Sequence, residues 1–82
     1  DVAALQVLID RVDASLLAFS EVQTAAINSD VNGTSNAILG NILGLTFDGA
    51  NETAYQAAIA AEASIADVAA LQVLIDRVDA SL

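Results

Sequence analysis

Asp10 and Asp13 stand three residues apart, and the same pair recurs as Asp76 and Asp79. Residues spaced i, i+3 share one face of a helix, so each pair has the arrangement for proton transfer or for holding a cation. Acid–base work needs one of the two carboxyls pushed up by burial. Gln6, Ser20 and Thr24 fall on the same face as Asp10 and Asp13. That company predicts a solvated surface, with each aspartate replaceable by Asn without loss of fold. Asp30, Asn32 and Thr34 have the 1-3-5 spacing that opens an EF-hand loop. The sixth position is then Ser35 where the loop needs Gly, and the twelfth is Asn41 where it needs Glu. A turn with helix-capping residues is the better reading. Asn32-Gly-Thr34 and Asn51-Glu-Thr53 match the N-glycosylation acceptor pattern, and Asn and Thr are also ordinary turn and cap residues.

The residue inventory removes whole classes of function. The chain of 82 residues has 2 Lys+Arg, which are Arg11 and Arg77, against 11 Asp+Glu, for a net charge of −9. It has no His, Cys, Met, Trp or Pro. Disulfides, thiolate or imidazole metal sites, Ser-His and Cys-His pairs and lysine Schiff bases are therefore unavailable to it. Two arginines on so acidic a chain cannot neutralise phosphates, so nucleic acid is not an expected partner. No Gly-rich phosphate loop is present. We expect no enzyme, no catalytic, cofactor-binding or metal site, and no cofactor.

The strongest signal is a repeat. Residues 1–16 read DVAALQVLIDRVDASL, and residues 67–82 read the same, an offset of 67 − 1 = 66. Self-similarity at a fixed period is the signature of repeat architecture. The expected organisation is one full unit, residues 1–66, followed by the start of the next, residues 67–82, as a piece of a longer tandem array.

Composition and spacing then give the elements. Hydrophobic residues make up 56% of the chain and aromatics 4%. This Ala-rich, proline-free composition predicts an all-α fold. Val2, Leu5, Ile9, Val12, Leu16 and Phe19 are spaced 3, 4, 3, 4, 3. They predict a helix from Asp1 to about Asn28 with a core-facing seam, widened by Leu8, Val22 and Ala26. Leu17 lies amid the polar face and Val7 near its edge. They are the candidate contacts with a neighbouring unit or partner. Asn28 to Gly33 reads as a turn. Thr34 or Ser35 then caps a short helix to about Leu45, whose Gly40 and Gly44 suit close helix approach. Asn51 or Thr53 starts a third helix, running to about Ala63. Ser64-Ile-Ala-Asp67 resembles a capping box. No Gly or Pro follows Asn51, so one continuous helix to Leu82 competes with a break. The apolar stripe shifts phase near Ser64, which favours the break. The expected assembly is an antiparallel three-helix-type bundle, with residues 67–82 packed near the Asp1 helix. The uncharged run Val31 to Phe47 contains Asn32, Gly33, Thr34, Ser35, Asn36 and Asn41, too polar for a membrane span. No stretch has the form of a signal peptide.

Asn51-Glu-Thr-Ala-Tyr-Gln-Ala-Ala-Ile-Ala60 and Asp67-Val-Ala-Ala-Leu-Gln-Val-Leu-Ile-Asp76 resemble the Ala-rich helical tandem repeats of large bacterial cell-surface and adhesin-like proteins. The resemblance covers about half of the unit. It implies three-helix units in series that act as a stalk or spacer. Albumin- and immunoglobulin-binding three-helix modules are similar in architecture, but they are Lys-rich and this chain has no Lys.

The functional expectation is thus a structural spacer repeat of an extracellular or cell-surface protein, whose first partners are neighbouring units of the same chain. Its acidic surface favours solubility. Two alternatives stand beside it. One is a repeated module that binds a protein partner, with avidity from repetition; the other is a self-assembling helical matrix protein.

Overall fold

The computed structural model describes all 82 residues, and the chain is all-helical with no strand. Helix α1 spans Val2–Ile27, α2 spans Asn36–Asn41, α3 spans Glu52–Ala61 and α4 spans Val68–Ser81. A single 3-10 turn, Gly49–Asn51, leads into α3. No helix is long and apolar enough to cross a membrane.

Local chemistry accounts for the helix ends. The Asp1 carboxylate accepts from the Ala4 N–H at 2.8 Å, and the Asp67 carboxylate accepts from the Ala70 N–H at 2.8 Å. Each satisfies one of the free donors at a helix start. Ser35 caps α2 by accepting from the Ile38 N–H at 3.3 Å. After α1, the Asp30 N–H bonds back to the Ala25 carbonyl and the Ser29 N–H to that of Ala26, with Ser29 at φ 53°. This is a Schellman ending with serine where glycine is the usual residue. Gly33 then passes so close to α1 that a Cβ there would lie 2.7 Å from the Ala25 Cβ. The short helix stops at Asn41, before the expected Leu45. Ile42 is extended and buried, and Gly44 turns the chain at φ 81°. Gly40 faces open space, so it does not serve close helix approach.

The break between α3 and α4 is real. Ala63 takes a left-handed φ of 65°, and the chain resumes a helix only after Asp67. Ile65, buried in the core, requires this exit from the helix, and its carbonyl accepts from Gln23 Nε2 at 2.9 Å. The cap of the new helix is Asp67 rather than Ser64 of the expected capping box.

One apolar core joins Ala18, Val22, Ala25 and Ala26 of α1, Leu39 of α2 and the adjoining Ile42, Tyr55 and Ile59 of α3, Ile65, and Leu71, Leu74 and Ile75 of α4. Phe47 meets the Tyr55 ring edge-on at 6.5 Å. The second half of α1 contacts α2 and α3, and α4 lies against α3. One expectation is corrected here. The seam of the first half of α1 faces no core: Leu5, Leu8, Ile9, Val12 and Leu16 are all exposed. Residues 67–82 lie against α3 and share the one core with the second half of α1. The first half of α1 therefore stands out from the body, and the chain as a whole extends 44 × 24 × 19 Å.

A candidate inter-unit surface

The same sixteen residues occupy two environments in one chain. In α4, Leu71 is 0%, Leu74 5% and Ile75 0% exposed; their counterparts Leu5, Leu8 and Ile9 are 55%, 51% and 43% exposed. Sequence identity removes every intrinsic difference between the two segments. The difference lies in what each can touch.

Polar contacts follow the apolar ones. Gln72 clamps the loop before α3: the Thr46 N–H donates to its Oε1 at 2.8 Å, and its Nε2 donates to the Thr46 carbonyl at 2.8 Å. Gln6, the counterpart, bonds only within its own helix, from Nε2 to Asp10 Oδ1 at 2.8 Å. Asp79 accepts from the Tyr55 hydroxyl at 2.5 Å and from Asn51 Nδ2 at 2.9 Å. The Tyr55 oxygen accepts in turn from the Asp48 N–H at 2.9 Å. Burial of the phenol, then its bond to Asp79, pushes the Tyr55 hydroxyl above its ordinary value, against a smaller opposing effect of the Asp48 N–H. Arg77 reaches Glu62 at 3.5 Å with both side chains well exposed, an ion pair worth little on its own.

The aspartates therefore divide. Asp10, Asp13 and Asp76 are exposed, as expected. Asp79 is exposed as well, yet it anchors Tyr55 and Asn51, and in this it departs from the expected freely replaceable surface residue. Sequence reasoning missed the pair. The available signal was the single tyrosine: a buried Tyr needs a partner for its hydroxyl, though the sequence does not say which.

The other sequence candidates are scattered. Asp30 Oδ1 accepts from the Asn32 N–H at 2.9 Å, a local turn contact, and Thr34 is buried. No three His, Cys, Asp or Glu side chains converge on one point. Asn32 is exposed in its turn. Asn51 is half-buried, its amide donates to Asp79, and Thr53 of its acceptor pattern already lies inside α3. Val7 and Leu17 are both exposed, and Val73, the counterpart of Val7, is exposed too although α4 is packed. Val7 and Leu17 sit about 15 Å apart along the helix at 1.5 Å per residue, so they do not form one patch.

The chain matches no protein-family model, and comparison with curated proteins and with solved structures finds no match.

Proposed function

We propose that the chain is a structural spacer: residues 1–66 form one unit of a tandem array in an extracellular surface protein, and residues 67–82 begin the next unit. Each unit is an antiparallel three-helix-type bundle made from the second half of its long helix, its α3, and the first half of the following long helix, with α2 closing one side. Its work is mechanical, to set a distance, and it needs no catalytic group. The observation that carries this reading is the pair of environments of one sixteen-residue sequence: apolar and uncovered at the start of the chain, buried as a core helix at its end. A unit whose last helix is the first helix of its successor is the natural product of an array in which neighbours complete each other's cores.

Small-angle scattering on chains of two, four and six units tests it. The maximum dimension should grow linearly, by a few tens of Å per unit at helical rise. Growth as the square root of unit number, expected of flexibly linked beads, would overturn the rod. Concentration-dependent particle mass would favour a self-assembling matrix instead.

A further inference from the structure

The exposed face of the first half of α1 has the same sequence as a face whose partner is on view in the same molecule. From this we infer that Leu5, Leu8 and Ile9 dock into the hollow between Tyr55, Ile59 and Ile65 of the preceding unit in the same polypeptide, so that one unbroken helix serves two cores. The inference rests on the array reading above and specifies its junction. Each contact carries over by the offset of 66. Leu5, Leu8 and Ile9 take the places of the buried Leu71, Leu74 and Ile75. Gln6 takes the place of Gln72 on the backbone of Thr46, and Asp13 that of Asp79 on the Tyr55 hydroxyl. The connection is already built: an Ala66–Asp1 junction between units has the same sequence on both sides as Ala66–Asp67 in the chain.

The two uses of α1 do not compete. Its own unit takes Ala18, Val22, Ala25 and Ala26 into the core, Gln23 Nε2 donates to Ile65, and Ser15 Oγ accepts from the Leu43 N–H at 2.8 Å. Of these only Ser15 lies in the segment that the preceding unit would hold, and its counterpart Ser81 is exposed and bonds only to the Val78 carbonyl of its own helix. At 100° per residue the two buried faces point about a third of a turn apart, and their centres lie about 20 Å apart along the axis. One helix can therefore present separate faces to two bodies, each successive body both advanced and rotated. The resulting array winds around its own axis.

The test joins residues 1–66 directly to the N-terminus of the full chain and compares this two-unit polypeptide with the full chain alone. Leu8→Asp should leave the melting temperature of the full chain almost unchanged. The same change at Leu8 of the second unit should split the two-unit melt and release the first unit at lower temperature. A milder variant gives an independent readout, because each unit has one tyrosine and no tryptophan. With Tyr55→Phe in the second unit, ultraviolet titration reports the first unit's phenol alone. Asp13→Asn in the second unit should lower that midpoint towards the ordinary value. A Leu8→Asp change that is silent in both polypeptides, with an unmoved phenol midpoint, would overturn the docking. Rod-like scattering alongside that result would leave the spacer with a different junction. Compact scattering alongside a split melt would keep the junction and remove the rod.

Discussion

Tyr55 and Asp79 stand 24 residues apart in sequence and 2.5 Å apart in space, phenol oxygen to carboxylate oxygen. The tyrosine belongs to α3 and the aspartate to the sixteen-residue segment that opens the chain and recurs at its end. One hydrogen bond thus ties the repeated helix to the body that it closes. Asp13, with the same neighbours in sequence, has no such partner within the chain.

Asp79→Asn should therefore destabilise the chain by about 1 kcal/mol, the typical worth of such a bond, while Asp13→Asn should be neutral within error. Denaturant unfolding of the two variants makes the comparison. Equal effects would mean that the Tyr55 contact adds nothing to stability.

The Tyr55 hydroxyl also sets an alkaline limit. Its folded value lies above the ordinary 10.0, first because the phenol is buried and then because it donates to Asp79. The folded chain keeps this proton where the unfolded chain has released it. The stabilisation is complete below pH 10.0 and is lost as the pH rises through the higher folded value. Tyr55→Phe should remove that part of the pH dependence, which melting curves across the alkaline range would reveal.

Two backbone positions should respond in opposite directions. Gly33→Ala would place a Cβ 2.7 Å from the Ala25 Cβ and should cost about 1–3 kcal/mol through forced separation of the turn from α1. Ala63→Gly should stabilise by about 1 kcal/mol, because Ala63 holds a left-handed φ of 65° that glycine adopts without steric conflict. Thermal unfolding of each single variant decides both.

Removing the two copies should have unequal effects. Loss of residues 67–82 uncovers Tyr55, Ile59 and Ile65 and takes away three core side chains. At roughly 1.5–3 kcal/mol for each buried aliphatic side chain, this is comparable to the whole stability of a small domain, about 5–15 kcal/mol. That truncated chain should be largely unfolded by circular dichroism. Loss of residues 1–12 removes only the uncovered turns of α1, and the remaining chain should keep its cooperative melt.

Much of the fold was legible from local signals. The Ser35 cap, the Asn-Gly turn and the 3-4 spacing of the long helix each depend on neighbours a few residues away. The break before α4 was legible for a subtler reason: the apolar stripe changes phase near Ser64, and the structure resolves the conflict by placing Ile65 in the core. The covering of each seam was not legible. Leu5 and Leu71 have the same periodicity and the same neighbours in sequence, so no pattern can say which of them finds a partner. The Tyr55–Asp79 bond was hidden for the same reason, since it depends on α4 packing against α3.

Amide hydrogen exchange on the intact chain tests the central claim most directly, because identical sequence gives residues 4–15 and 70–81 matching intrinsic rates. A ratio between counterparts then reports structure alone. If residues 67–82 complete the core while residues 1–16 await a neighbour, the amides of Leu74 and Ile75 should exchange only with global unfolding. Those of Leu8 and Ile9 should exchange orders of magnitude faster, through fraying of an unsupported helix. Equal protection of the two copies would contradict the account.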